Sequence, residues 1–369
     1  MWTYRQPTEI KFGPGTRAML PEVIARFGER PILVTDRALA RLPVVADVCG
    51  ASGCDARVFS NIDPNPVVGS VDALADFIGE TGADVVIGVG GGSSLDCAKA
   101  ACSVALQGGP TRRYHSGGET LDDRHLPLIA MPTTAGTGSE VTPNAVLGDP
   151  EMDFKAPIVH SNFYPAVAVV DPELTRSMPR SVTAATGLDA LAHAIEGYWS
   201  NNHQLICDAL ACRAVALVFE HLPRALEDGD DIAAREGMSL AALLGGMAFQ
   251  MPQNAAVHAC SFPLSNTYHL PHGTACAMTL DHFCRFNAQA MDERGVALAQ
   301  AGGFADMYAL AEGVADLKAI SGLPIRLGEI GVTEDDLPAL VEASFHPLMN
   351  NNPREVTPEE LTGIYRSMM

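Results

Sequence analysis

Long apolar runs are absent from this chain. No stretch approaches the ~18 to 20 consecutive apolar residues that span a bilayer, and the opening Met1-Trp-Thr-Tyr-Arg5 has no apolar leader, so the expectation is a cytoplasmic protein with no membrane partner. Positive charge is also scarce. The 24 Lys and Arg face 44 Asp and Glu, and the formal charge of −20, spread along the chain, argues against nucleic acid or an anionic membrane as partner. A small substrate is still allowed, because a local site can be positive inside an acidic protein. The nine cysteines show no repeated Cys-x-x-Cys spacing, which disfavours a zinc ribbon or a disulfide framework and reads as free thiols in a reducing compartment. Cys97, Cys102, Cys207 and Cys212 fall in apolar helical patterns and read as small core residues. Internal repeats, low-complexity tracts and long linkers are missing too. What remains is 369 residues, 47 % hydrophobic, enough for two ordered globular domains.

The first 170 or so residues alternate short apolar runs with helical periods, the pattern of a parallel α/β sheet. Strands are expected at Pro31–Asp36, Ala56–Phe59, Asp84–Val89, Leu126–Met131 and Ala166–Val170, with Val71, Leu74, Ala75 and Ile78 at helical spacing between the second and third. After Asp171-Pro172 the texture becomes Ala- and Leu-rich, and helices are expected over Ala184–Trp199, Cys207–Leu226 and Ala233–Phe249. The boundary is placed at the turn Ser177-Met-Pro-Arg180, giving domains 1–178 and 179–369 that pack closely around a cleft.

Four potential metal ligands stand in the second half: Asp189, His193, His258 and His272. Asp189 and His193 are four apart, one turn above each other on a helix, so they can grip one cation together. One carboxylate with three imidazoles suits divalent iron or zinc at a catalytic centre, whereas structural zinc sites are usually rich in cysteine. With eleven histidines in the chain, a lone Asp-x-x-x-His pair is weak evidence, and the surrounding residues have to strengthen it.

In the first half, the strand ending at Val89 runs into Gly90-Gly-Gly-Ser-Ser-Leu-Asp-Cys-Ala-Lys99. Glycines at a strand-to-helix junction let backbone approach a phosphate, and the helix N-terminus stabilises its charge. The spacing is not G-x-G-x-x-G and the turn follows a later strand than in a standard Rossmann unit, so a plain helix cap is the competing reading. Asp36, an acid at the end of a neighbouring strand, favours the nucleotide: it can accept hydrogen bonds from a ribose and repel a 2′-phosphate, selecting NAD over NADP. A second polar turn, Pro132-Thr-Thr-Ala-Gly-Thr-Gly-Ser-Glu-Val-Thr142, follows the next strand at its ligand-binding end.

Together Gly90-Gly-Gly-Ser-x-x-Asp-x-Ala-Lys99, Pro132-Thr-Thr-Ala-Gly-Thr-Gly-Ser-Glu140, Thr186-Gly-Leu-Asp-Ala-Leu-Ala-His-Ala-Ile-Glu196 and Leu270-Pro-His-Gly273 resemble the iron-containing (group III) alcohol dehydrogenase family, nearly end to end from Ile10-Lys-Phe-Gly-Pro-Gly15 to Asn352-Pro-Arg354. The resemblance implies an α/β N-terminal dinucleotide-binding domain with a parallel sheet, an all-α C-terminal metal-binding domain, a dehydroquinate synthase-like architecture, and a homodimer or larger assembly. Carried over by position, Asp36, Gly90, Gly91, Gly92, Ser93, Asp96, Thr133, Thr134, Thr137, Ser139 and Lys155 would surround NAD. Asp189, His193, His258 and His272 would hold the metal, Fe2+ before Zn2+, and Thr142, Asn144 and Phe249 would lie beside substrate or nicotinamide. One position departs from the pattern. Four residues after the third ligand, many members have another histidine thought to help proton exchange; here it is Phe262, which cannot move a proton. His269 is the candidate replacement as catalytic residue, against the alternative of a solvated loop histidine. Phe262 can instead narrow the substrate pocket, and similar runs resemble members that reduce small aldehydes with an anionic head such as phosphonate.

The expected function is a metal-dependent, NAD(H)-linked oxidoreductase interconverting a small primary alcohol and its aldehyde, phosphonoacetaldehyde being the type of substrate in view. Two rivals are weighed. A dehydroquinate synthase-like lyase would accumulate no NADH, and the Ser93-to-Lys99 pattern speaks against it. A metal-dependent hydrolase would leave the glycine turn and Asp36 without a purpose.

Overall fold

The alternation of short β-branched runs with helical periods produces the expected parallel sheet. The computed structural model describes residues 2–53, 57–152 and 154–369, with the side chains of Phe154 and Lys155 outside that description. In chain order the sheet half runs β1 (Glu9–Phe12), α1 (Leu20–Ala25), β2 (Pro31–Val34), α2 (Pro43–Ser52), β3 (Arg57–Phe59), α3 (Val68–Thr81), β4 (Val85–Gly90), α4 (Gly92–Gln107), β5 (Leu128–Pro132), β6 (Asn144–Asp149), β7 (Phe154–Val159) and β8 (Val167–Val170). Six strands pair in the order β1-β8-β5-β4-β2-β3, every pair parallel.

Alternate residues of the central strands enter separate cores. Ile32, Val34, Val86 and Leu128 pack with Val71, Leu74, Ile78 and Ala98 from α3 and α4. Leu33, Val85, Ile87, Ile129 and Val167 pack with Val23, Ile24, Val45 and Val48 from α1 and α2. Burial on both faces is why these strands read as continuous apolar runs rather than alternating ones. The observed strands begin or end within two residues of the expected ones, and Ala56 lies outside the described residues. Not expected were the short strand β1 and an antiparallel pair of β6 and β7.

The helical half comprises α5 (Arg180–Trp199), α6 (Leu205–Glu227), α7 (Ile232–Phe249), α8 (Ala256–Asn266), α9 (His272–Asn287), α10 (Asp292–Ala301), α11 (Met307–Ser321), α12 (Leu337–Ser344) and α13 (Pro358–Arg366). Helix α5 is buried all round from Gly187 to Trp199, the mark of a helix at the centre of a bundle. A salt bridge ties α9 to α11: Lys318 Nζ lies 2.5 Å from Asp281 Oδ1, and Arg285 lies 2.8 Å from Asp281 Oδ2. No helix among the described residues is long and apolar enough to cross a membrane.

By contact the chain forms two compact units, Arg5–Thr134 with Ser139–Ser177, and Met178–Met369 with Ala135–Gly138 and the residues up to Tyr4. They are discontinuous, unlike the two segments drawn from sequence. The glycines of the Ala135–Gly138 loop account for its place in the helical unit. A side chain at Gly136 would meet Thr186 on α5 at 2.7 Å, and one at Gly138, whose φ is +60°, would meet the Gly246 backbone on α7 at 2.4 Å.

Candidate functional site

In the helical unit, α5 carries Asp189 and His193 one turn apart, α8 carries His258, and α9 opens with His272. Close helix packing brings them together. A Cβ on Gly273 would strike the Ala185 carbonyl at 2.1 Å and Asp189 Cβ at 3.1 Å, so only glycine lets the start of α9 sit against α5 there. Asp189 Oδ1 lies 3.8 Å from His258 Nε2 and 3.7 Å from His272 Nε2. His193 Nδ1 lies 3.8 Å from Asp189 Oδ2, and its Nε2 lies 3.1 Å from His258 Nε2.

Two atoms of this cluster, Asp189 Oδ1 and His193 Nδ1, are buried without a hydrogen-bond partner. Leaving such groups unpaired is costly unless a ligand satisfies them. Burial pushes His193 and His258 down to about 4 against the opposing charge of Asp189, so both imidazoles are neutral at pH 7. Burial works to raise Asp189, but the nearby His193, His272 and His258 outweigh it and hold the carboxyl below its ordinary value. A carboxylate with neutral imidazoles is the protonation state that takes a cation, and the separations of 3.8 Å and 3.7 Å from Asp189 Oδ1 to His258 Nε2 and His272 Nε2, with 3.1 Å between the Nε2 atoms of His193 and His258, lie near the ~3.3 Å edge of a tetrahedron with bonds of about 2.0 Å. The residues fit a divalent metal.

Two further side chains belong to this cluster and were not singled out from sequence. Glu196 accepts hydrogen bonds from the Val257 amide at 2.7 Å and the His258 amide at 3.4 Å, and makes a close hydrogen bond with His258 Nδ1. That contact holds the ring in place with Nε2 turned toward Asp189 and His193. Burial raises Glu196 to about 8 against these amides. The signal was legible: Asp189, His193 and Glu196 share one helical face. The second is Cys276, whose sulfur gathers with donor atoms of Asp189, His258 and His272, all within 4.8 Å of one another.

The other expected residues of this unit are placed variously. Phe249 stacks on His193 with centroids 4.2 Å apart and planes at 16°. Phe262, on α8, meets His346 edge-on at 4.8 Å. Thr137 lies in the loop that packs on α5 and α7. His269 is exposed between α8 and α9 with φ 56°, and it is not among the gathered donor atoms.

In the sheet unit, β4 passes into α4 at Gly90, whose φ of 151° and proximity to Ser94 exclude a side chain; a Cβ would meet Ser94 Oγ at 2.5 Å. Gly91 occupies the N-cap and offers no side chain to the first-turn amides. The Thr133 amide donates to the Gly90 carbonyl at 3.0 Å, and the Thr134 side chain lies against Gly91. Asp36 Oδ1 accepts from the amides of Ala38 and Leu39 at 2.9 and 2.8 Å, and its Oδ2 is 3.4 Å from Ser94 Oγ. The Asn65 amide donates to Ser93 Oγ at 3.4 Å.

Asp96 acts from inside the protein. Its oxygens accept from Ser139 Oγ at 2.6 Å and the Val146 amide at 2.9 Å, so Asp96 and Ser139 pin the polar turn to α4. Lys99, buried on the same helix, donates to Thr142 Oγ1 at 3.2 Å and the Asn144 carbonyl at 2.9 Å. Burial lowers Lys99 to about 8 against Asp96 and Glu140, and raises Glu140 to about 7. Asn144 Oδ1 is buried without a partner. Lys155 is in β7, with its side chain outside the described residues.

Comparison with known proteins agrees with both halves. Residues 7–172 match the iron-containing alcohol dehydrogenase family and residues 183–369 match the C-terminal part of the Fe-containing alcohol dehydrogenase family, so this chain belongs to that family of oxidoreductases. It is 35 % identical to the 1,3-propanediol dehydrogenase of Klebsiella pneumoniae over 99 % of this chain and 98 % of that one, and 33 % identical to the NAD-dependent methanol dehydrogenase of Bacillus methanolicus over 92 % of each. A crystal structure of the sulfoacetaldehyde reductase from Bifidobacterium kashiwanohense in complex with NAD+ superposes with a TM-score of 0.96 at 41 % identity, covering 100 % of this chain and 98 % of that one.

Proposed function

We propose that this protein interconverts a small primary alcohol and its aldehyde with NAD(H), and that the aldehyde carries an anionic head such as a phosphonate or sulfonate. The observation that carries the reaction is the convergence of Asp189, His193, His258 and His272 with two buried donor atoms unpaired. These residues would hold a divalent ion, Fe2+ first and Zn2+ as the alternative, and that ion supplies Lewis acidity toward the alcohol or aldehyde oxygen. Glu196 orients His258, and Phe249 braces the His193 ring by stacking. Gly90, Gly91, Gly92 and Ser93 take the pyrophosphate on the first-turn amides of α4, and Asp36 takes the adenosine ribose. Asp96, Ser139 and Lys99 hold Thr142 and Asn144 in place for substrate or nicotinamide. Thr133, Thr134, Thr137 and Lys155 complete the NAD environment in this reading, with residues 1–178 as the nucleotide domain and 179–369 as the metal domain. The protein acts as a cytoplasmic homodimer or higher homo-oligomer.

The anionic substrate rests on two supports: the 41 % identity to a sulfoacetaldehyde reductase and an apolar ring at Phe262, which removes a proton-carrying side chain from the helix that bears His258. The test is NADH oxidation at 340 nm with fixed ferrous iron and a panel of short aldehydes, neutral and anionic. The anionic members should give the higher kcat/KM. Equal values across the panel would remove the head-group claim, and protein that regains no NAD-linked turnover with any divalent metal after chelation would remove the reaction itself.

A further inference from the structure

His346 packs against the residue at which α8 departs from the family pattern, and the reaction proposed above makes no use of it. Phe262 follows His258 by four residues, one turn or about 6 Å along the same face of α8. A long helical side chain leans back over the turn before it, so the Phe262 ring lies on the His258 side of its own Cα. Between Ala256 and Leu264 it is the one residue of α8 that is not fully buried, so its ring borders open space. The His346 imidazole meets that ring edge-on, with centroids 4.8 Å apart and planes at 71°. His346 Nδ1 accepts the Leu348 amide at 3.2 Å as the cap of the Pro347–Asn351 turn. A ring nitrogen that accepts carries no proton, so the proton of the neutral imidazole is on Nε2. Among the described residues nothing hydrogen-bonds to that nitrogen. Partial burial lowers the pKa of the ring, and a second proton would set an N–H at Nδ1 against the Leu348 N–H. Such an imidazole is a fixed donor and a poor proton carrier. The turn that bears it is tied down as well: Asn351 Nδ2 donates to the Asn254 carbonyl at 2.8 Å, and the Asn201 amide donates to the Asn351 carbonyl at 2.8 Å.

We propose that His346 is a specificity-determining residue whose Nε2–H donates to an oxygen of the substrate's phosphonate or sulfonate head, a reading that rests on the anionic aldehyde of the proposed function. With the aldehyde oxygen at the cluster of Asp189, His193, His258 and His272, the head, one methylene beyond the carbonyl carbon, extends along α8 past the Phe262 ring. An N–H gains more from a charged oxygen than from a neutral one, and gains nothing from a methyl group, so the preference falls on the anionic head. Phe262 contributes by packing the imidazole, which aims the donor before substrate arrives and lowers the ordering cost of binding.

The test follows NADH oxidation by the metal-loaded protein with sulfoacetaldehyde, phosphonoacetaldehyde and the neutral propionaldehyde. His346→Asn keeps an oxygen to accept the Leu348 amide and removes the distal N–H, whereas His346→Gln sets an N–H near the place of Nε2. In His346→Asn the KM for the anionic aldehydes should rise about ten- to a hundredfold, with kcat, the propionaldehyde kinetics and the melting temperature close to wild type. His346→Gln should recover most of the lost preference. An equal loss for all three aldehydes overturns the proposal, since it would mark a purely structural role. A wild-type preference for the anionic aldehydes that survives in His346→Asn overturns His346 alone, and a wild type without that preference overturns the head-group reading beneath it. Should His346→Asn not fold, His346→Ser, which also caps without a distal donor, takes its place.

Discussion

The glycine turn of the sheet unit and the helical cluster are built from opposite materials. At Gly90–Ser93 the proposed binding groups are backbone amides supplied by consecutive residues, three of which are glycines without a side chain to cover them. At Asp189, His193, His258 and His272 the proposed binding groups are side chains from three helices, made convergent by packing and tuned by burial. A backbone site is therefore sensitive to what is added to it, and a side-chain site to what is taken away.

The largest effect should follow from taking Asp189. Asp189→Asn keeps the shape and removes the negative charge, so metal content should fall and kcat/KM should drop about a thousandfold, the order expected when several kcal/mol of electrostatic stabilisation are lost. Metal analysis alongside kinetics checks it; full activity with retained metal would exclude Asp189 as a ligand.

Asp281 gives the contrasting case of a buried acid whose cation is part of the chain. Its partner Lys318 is 2.5 Å away, so Asp281→Asn should cost about 3 kcal/mol of stability, measured by denaturant titration, and leave metal content unchanged. Burial works to raise Asp281, but Lys318, His282 and Arg285 prevail and its folded-state pKa is depressed. Its contribution is therefore fully present above the unfolded carboxylate value near 4 and is lost as pH falls through the lower folded value. The gap between wild type and variant should be constant at neutral pH and narrow only in acid. A gap that widened below about pH 4 would reverse this assignment.

Gly90→Ala and Glu196→Gln extend the comparison with intermediate effects. An alanine at φ 151°, with Ser94 Oγ 2.5 Å from the new methyl, should cost about 2 kcal/mol and raise the KM for NAD without changing metal content. Glu196→Gln should weaken metal affinity about 10- to 100-fold by loosening His258, as losses behind a ligating histidine do. If the glycine change released metal, or the glutamine change altered NAD binding alone, the two regions would not be independent in the way described.

The same contrast explains what the sequence discloses. Consecutive glycines after a buried strand, and an acid and histidine four apart on a helix, are local patterns and can be read directly. The two faces of the sheet follow from runs such as Pro31–Val34 and Val85–Gly90. Glu196 stands on the face of Asp189 and His193, but its role depends on His258, 62 residues away, which no spacing rule reaches. Asp96 is read as a cofactor residue from its motif, and only the packing of α4 shows Asp96 and Lys99 holding the polar turn. The β6–β7 pair escapes notice because Lys155 and Pro157 interrupt its second strand.

The smallest effect expected concerns Asp36, where backbone and side-chain roles meet. Its Oδ1 holds the amides of Ala38 and Leu39, while Oδ2 faces Ser94 beside the glycine turn. Truncation to alanine would confuse the two, since it also frees the turn. Asp36→Asn keeps an oxygen for the amides and removes only the negative charge, which in this reading repels a 2′-phosphate and draws the ribose hydroxyls. The ratio of kcat/KM for NADH to that for NADPH should fall about tenfold, or about 1.4 kcal/mol, with the melting temperature held. An unchanged ratio at unchanged stability would make Asp36 a cap for the 38–41 turn and nothing more, and the discrimination between cofactors would then have to reside in the backbone around Gly90.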